Sequence, residues 1–223
     1  MANRPDTVLF DVVETLMSLE PLRERFAAVG LAPELLARWF DRVLRDGMAL
    51  SLAGDYVPFP RVAAAALHTL SGGELGDADV EHVLAGFGEL PPQPDAEPAA
   101  RELAGAGVQL ACLTNGTEHG TRDFLARTGL DRTIETVISV AEAGSWKPPA
   151  RVYEHALHHL GRRAAGTALV AVHAFDCHGA RRAGLTTGWA SRHEGRYPDI
   201  FAAPDVAGDD LVEVARGLLA LPG

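Results

Sequence analysis

Asp11 closes the apolar run Val8-Leu9-Phe10 and opens the stretch Asp11-Val12-Val13-Glu14-Thr15-Leu16. A carboxylate at that junction, with valine rather than a second acid two residues on, suits a nucleophile that works without a metal. The same pattern also describes a strand followed by a helix N-cap, so the reading depends on what else gathers around it. Three further groups carry chemistry: Thr114-Asn115-Gly116, Lys147-Pro148-Pro149 and His173-Ala174-Phe175-Asp176. Brought to Asp11, they would supply an ammonium to keep the nucleophile ionised, donors for an anionic substrate and a second carboxylate to activate water. Each has a plainer alternative: Lys147 as a solvated residue at a helix start, Asp176 as a helix N-cap.

The elements that would position these groups are legible as short apolar runs at residues 8–10, 108–113, 137–140 and 168–172, with 186–190 a fifth candidate, each following a helical stretch. Strands alternating with helices predict right-handed βαβ crossovers and a parallel sheet. In such a sheet ligands bind beyond the carboxyl ends of the strands, and all four groups fall at those ends. From about Leu19 to Leu90 the alternation stops. Leu35, Leu36, Trp39, Phe40, Val43 and Leu44 recur at three- and four-residue steps, the period of a helix. The proline-rich stretch from Glu89 to Asp95 ends this segment. The expected architecture is an α/β, Rossmann-like parallel sheet core, residues 1–16 and 92–223, with an inserted α-helical cap at 17–91. Leu211, Val214, Ala215 and Leu218 mark a closing helix packed on the sheet.

Composition narrows the function classes. The 223 residues are 47% hydrophobic, enough for a sizeable core, and the formal net charge of -10 argues against sequence-independent binding to nucleic acid. Cys112 and Cys177 lie beside apolar runs without metal or redox spacing and read as core fillers in a reducing compartment. The first residues form no apolar leader, and no stretch reaches the roughly 18 apolar residues of a membrane span. The expectation is a cytoplasmic protein with no membrane or nucleic-acid partner and no cofactor, with association as a homodimer left open. His155, His158 and His159 share a helical face with no carboxylate or cysteine at a supporting spacing, which reads as a solvated surface.

Together these residues resemble the haloacid dehalogenase superfamily over nearly the whole chain. The marks are Asp11 with Thr15 four residues on, Thr114 after the second strand, Lys147 before proline and an acidic motif after the fourth strand. Within the superfamily, Asn115-Gly116, Tyr153 six residues beyond Lys147 and the layout of His173 to Asp176 are similar to the type II 2-haloacid dehalogenases. The resemblance implies a hydrolase acting on a small 2-substituted carboxylic acid through an ester on Asp11. Lys147 would keep Asp11 ionised and align it, and Asp176 would position water. Thr114 and the amides after Asp11 and Thr114, including Val12, would receive the substrate carboxylate. Asn115 resembles the residue that helps hold the leaving halide, and Tyr153 would hydrogen-bond near Lys147 or the substrate.

The sequence departs from that family in ways that point in two directions. Phosphatases of the superfamily carry acidic residues where this chain has Val13 and Ala171, which favours metal-free chemistry over a phosphatase with displaced ligands. The cap arginine that faces the halide in 2-haloacid dehalogenases is Phe40 here, next to Trp39, and His173 stands where those enzymes have Asn. Halide stabilisation would then fall to Asn115, to the edges of Trp39, Phe40 or Phe175, or to Arg38 or Arg42. Another outcome is displacement of a different group, such as the nitrogen of a strained ring, with His173 supplying the proton from an ordinary pKa of about 6.5. The role of Glu14 stays open between a helix cap and a site group. A non-catalytic binding module is a further alternative.

Overall fold

The computed structural model describes residues 2–223. Six parallel strands run β1 (Thr7–Phe10), β2 (Gln109–Thr114), β3 (Thr136–Ser139), β4 (Thr167–Ala171), β5 (Thr186–Ala190) and β6 (Val206–Gly208), in the spatial order β3-β2-β1-β4-β5-β6. That is the doubly wound order, and its direction reverses between β1 and β4. The crevice at that reversal receives the ends of both strands, so Asp11 after β1 and the segment after β4 face each other across it. The register fixes this closely: Phe10 stands opposite Cys112 on one side and Val170 on the other, and the Asp11 amide donates to the Val170 carbonyl at 3.0 Å.

Both faces of the sheet are covered, which explains why β1 and β4 are buried at every position. Alternation along β1 sends Val8 and Phe10 to one face and Leu9 to the other. Ala99 and Leu103 of α5 (Ala96–Gly105) and Val214 and Leu218 of α9 (Leu211–Leu219) join the first group. Val152 and Ala156 of α7 (Ala150–Leu160) and Cys177 and Ala180 of α8 (Ala174–Arg182) join the second. Gly188 in β5 lets α9 approach, because a Cβ there would lie 2.5 Å from Val214. Cys112 and Cys177 are buried and unpaired, one on each side of the sheet, as core fillers should be.

Between β1 and α5 the chain forms helices α1 (Leu22–Ala28), α2 (Leu35–Ala53), α3 (Phe59–Leu70) and α4 (Asp77–Ala85), followed by a 3-10 turn at Gly86–Glu89. The apolar stripe read from the sequence is the buried face of α2, carrying Leu36, Trp39, Phe40 and Val43. Gly54, with φ of 94°, ends that helix in the left-handed conformation glycine tolerates. The two chain segments that link this insertion to the sheet run side by side: Gln93 donates to the Leu16 carbonyl at 2.7 Å and Ser18 to that of Pro91 at 3.0 Å. The sequence reading missed β6, which pairs only with β5 and is three residues long. Among the described residues, no helix is long and apolar enough to cross a membrane.

Candidate active site

No helix follows Asp11 directly, since the next begins at Leu22, so the N-cap alternative falls away. The Asp11 carboxylate is instead held at both oxygens. Thr15 donates its hydroxyl to Oδ2 at 2.7 Å, and Lys147 Nζ lies 2.6 Å from Oδ1. Thr15 is itself fixed by accepting the Val172 amide at 3.2 Å, which ties the end of β4 to the loop after β1.

Lys147 is 1% exposed, which rules out a solvated residue. Its ammonium also lies 2.6 Å from Asp176 Oδ2 and donates to the Leu113 carbonyl at 3.1 Å. Asp176, in the first turn of α8, turns inward rather than capping the helix. Its Oδ1 accepts the Tyr153 hydroxyl at 2.5 Å. The amide of Ala174 is capped instead by Glu194, at 3.1 and 3.2 Å, a carboxylate at a helix N-terminus where the dipole favours it.

The loop that delivers Lys147 is clamped from the helical insertion, through residues the sequence reading did not single out. Trp146 donates its amide to Ser51 Oγ at 2.8 Å and its indole to the Val57 carbonyl at 2.9 Å. Gly47 makes room for the indole: a Cβ there would sit 2.4 Å from the ring. From the sheet side, Lys147 donates its amide to Asn115 Oδ1 at 3.0 Å, leaving the Asn115 amide nitrogen for other partners. Thr114 Oγ1 accepts the Gly116 amide at 2.9 Å, folding the turn after β2 tightly at the strand end beside Val12.

A second group of polar residues adjoins Asp11. Glu14 adopts φ of 65°, uncommon for a non-glycine residue. Its carbonyl is pinned by Arg192 at 3.0 Å and Gln93 at 3.2 Å. Glu14 Oε2 stands 3.4 Å from His173 Nε2 and 3.5 Å from His193 Nε2. The His173 ring stacks on Phe175 at 5.4 Å between centroids and approaches Phe40 at 6.4 Å. Phe40 therefore faces this side. Trp39 does not: it lies in the interior of the insertion, donating to the Ala63 carbonyl at 3.0 Å and packing on Phe26.

These environments shift the titrations. Burial pushes the Asp11 carboxyl up, but the Lys147 charge, then His173 and the hydrogen bonds from Lys147 and Thr15, more than offset it, so its pKa is lowered. Burial, with Asp11 nearby, raises Asp176 despite Lys147. Burial works against the Lys147 ammonium, yet Asp11 and Asp176 leave its pKa raised. Glu14 is raised to about 8, by burial first and then by Asp11, Asp41, Glu20 and Glu194. His173 is lowered to about 4, by burial first, with Asp11 opposing and His193 assisting. This corrects the expectation of an ordinary value for His173: burial disfavours the imidazolium, and it favours the protonated form of Glu14.

Away from Asp11, His155 Nε2 lies 3.4 Å from Glu142, and with His159 the three offer donor atoms within 4.8 Å of one another. The spacing in sequence gave no sign of that carboxylate, because β3 and its following loop bring it from another element. Glu142 and His159 are exposed.

Comparison with known proteins places the sequence and the fold. A family model described as haloacid dehalogenase-like hydrolase matches residues 5–184. The (S)-2-haloacid dehalogenase 1 of Pseudomonas sp. (strain CBS-3) is 30% identical over 184 residues, covering 80% of this chain and 81% of that protein. The (S)-2-haloacid dehalogenase of Pseudomonas putida is 25% identical over 217 residues, covering 95% and 96%. The fold is shared with L-2-haloacid dehalogenase from Xanthobacter autotrophicus, with a TM-score of 0.87 at 24% identity over 95% of this chain and 97% of that one.

Proposed function

Because the chain belongs to the haloacid dehalogenase-like hydrolases, we propose that it hydrolyses a small 2-substituted carboxylic acid, foremost a 2-haloacid, through an ester on Asp11. The observation that carries this reading is the single ammonium of Lys147 at 2.6 Å from both Asp11 and Asp176. Asp11 attacks C2 from the side opposite the leaving group, which departs with the bonding electrons. Lys147 and Thr15 hold the carboxylate ionised and oriented, and the amides after Asp11 and Thr114 receive the substrate carboxylate. Water activated by Asp176 then attacks the ester carbonyl, releasing a 2-hydroxy acid and restoring Asp11, with one proton and the leaving anion as by-products.

A divalent cation is ordinarily held by one or two carboxylates together with substrate oxygens. Here both carboxylates are engaged by the ammonium, and Val13 and Ala171 offer no further acid side chains. The residues therefore do not fit a cation bridging Asp11 and Asp176. A single turnover in ¹⁸O-water tests the ester: the label is expected in the Asp11 carboxylate and absent from the first product. Label appearing directly in the product, or activity lost to a chelator, would sink the reading.

A second reading follows from Phe40, which contributes no charge where a departing anion would need one, and from the proton held by Glu14 beside His173. A leaving group that must take up a proton, such as the nitrogen of a strained ring, suits those groups. The two leaving-group classes separate by pH. Cleavage at nitrogen is expected to fall as Glu14 loses its proton near pH 8, while halide release has no need of that proton and should show no such limb.

A further inference from the structure

Two histidines of α7 acquire in the fold a partner that their sequence neighbours do not supply. His155 and His159 stand four residues apart and so share one face of the helix, with ring centroids 6.4 Å apart. Glu142 reaches them from the loop between β3 and α7, and its Oε2 lies 3.4 Å from His155 Nε2. One donor atom from each of the three falls within 4.8 Å of the other two. His155 Nε2 is shut off from solvent, and among the described residues it finds no hydrogen-bond partner. Buried polar atoms left in that state are rare in folded proteins. The contact to Glu142 is too long for a good hydrogen bond. It matches instead the roughly 3.4 Å that separates two ligand atoms of a tetrahedral zinc ion, each bonded at about 2.0–2.1 Å.

We propose that Glu142, His155 and His159 form a zinc site that fastens the loop carrying Lys147 to α7. Two imidazoles and one carboxylate suit Zn²⁺, whereas Mg²⁺ and Ca²⁺ favour oxygen ligands alone. The helix sets the spacing of the two histidines before an ion arrives. Glu142 and His159 are exposed, so side-chain rotation closes the trio around the ion without moving the backbone. A cleft bordered by Glu142, His159, Tyr56 and Ser139 adjoins the three and admits water as a fourth ligand. The loop from β3 to α7 contains both Glu142 and Lys147, and α7 carries Tyr153, the partner of Asp176. An ion at this point ties those two segments together from the outside. The site shares no residue with the cluster around Asp11, and the ion takes no part in the reaction proposed there.

The test is metal binding by the full chain after treatment with a chelator. Zn²⁺ is titrated by calorimetry, Co²⁺ reports geometry through its visible absorption, and Mg²⁺ in excess serves as competitor. Zinc should bind in the presence of Mg²⁺, and Co²⁺ should give the intense absorption of a tetrahedral site. Zinc at about 100 times its Kd should raise the melting temperature by about 5–10 °C. His159→Ala and Glu142→Gln should each weaken zinc at least about 100-fold, beyond the cost of losing an outer partner. Both positions are exposed, so neither substitution should move the metal-free melting temperature by more than about 2 °C. His158→Ala, one position off the shared face, should bind zinc as the wild type does. So should His193→Ala, which breaks a second trio of Glu14, His173 and His193. Zinc retained by His159→Ala and Glu142→Gln, or lost from His158→Ala or His193→Ala, overturns the site. Absence of bound metal, or of any melting shift, overturns it as well. None of these readouts uses turnover, so failure here leaves the proposed reaction standing, and failure of that reaction leaves the site.

Discussion

On the Lys147 side of Asp11, the carboxylates of Asp11 and Asp176 are held by contacts of 2.5 to 2.7 Å. On the other side Glu14 stands 3.4 Å from His173 and 3.5 Å from His193, distances too long for good hydrogen bonds. The first arrangement fixes a geometry: one ammonium lies between two carboxylates and both Asp11 oxygens are oriented, so that little reorganisation would be needed for the proposed attack. The second biases protonation, because burial and nearby carboxylates raise the Glu14 carboxyl while burial lowers the His173 imidazole. On the proposed reaction the first side would serve attack and the second departure, so the two steps would rest on separate groups. Phe40 and His173, two of the residues that depart from the family pattern, lie on the second side.

The comparison breaks most sharply at Asp11 itself. If one nucleophile serves every substrate, Asp11→Asn should lower kcat for halo acids and for strained-ring acids alike, by at least about 10⁴-fold. A variant that loses one activity and keeps the other would mean that the two sides support different reactions.

Lys147→Met probes the tight side for its contribution to folding. Removing one partner of a buried ionic cluster costs roughly 3–5 kcal/mol, a melting drop on the order of 10 °C in a chain of this size. The sign with pH is specific. Without the ammonium, Asp11 and Asp176 share a buried space and hold protons to higher pH, so the variant should regain stability when taken from about pH 8 to about pH 5. An unchanged melting temperature would show that the ammonium only balances its own desolvation.

Glu14→Gln probes the loose side. A carboxyl raised to about 8 keeps, when folded, a proton that the unfolded chain releases above its ordinary value of 4.5, so wild-type stability falls as pH rises between those values. His173 has the opposite slope between about 4 and 6.5, because the unfolded imidazole binds a proton that the folded one does not. Only Glu14 of the two acts between 6.5 and about 8. Over that window the variant should gain up to about 2 kcal/mol relative to wild type in urea unfolding. Parallel pH profiles would show that Glu14 is ionised at neutral pH and holds no proton for a leaving group.

Much of the tight side was legible in the sequence, because its residues end apolar runs. Asp11, Thr114 and the segment leading to Asp176 each follow a strand whose hydrophobicity announces it, and a parallel sheet brings such ends together. The loose side was only partly legible. His173 and Phe40 could be read by position, but His193 arrives from the loop after β5, and Glu14 is aimed by a left-handed backbone that no side-chain pattern encodes. The pKa of His173 was misread because burial, which sequence does not report, decides it. β6 escaped because three residues with one large apolar side chain carry no period. The clamp on Lys147 escaped for another reason: Gly47 and Ser51 look like ordinary helix residues until Trp146, 95 positions from Ser51, is placed against them.

That clamp yields the smallest predicted effect and the finest test of the contrast. Ser51 Oγ accepts the Trp146 amide at 2.8 Å while donating to the Gly47 carbonyl at 3.0 Å, in a buried position. Ser51→Ala leaves the Trp146 amide unpaired, at a cost of about 1–3 kcal/mol, and removes one restraint on the loop that aims Lys147. Positioning errors of a fraction of an ångström in catalytic groups lower rates about 3- to 10-fold, so kcat should fall by that much with KM nearly unchanged. Asp11 keeps its carboxylate and Glu14 its proton, so the pH dependence should be unaltered. A change in the alkaline limb of Ser51→Ala would show that the insertion couples the two sides of Asp11 after all, and that attack and departure are adjusted together through the position of Lys147.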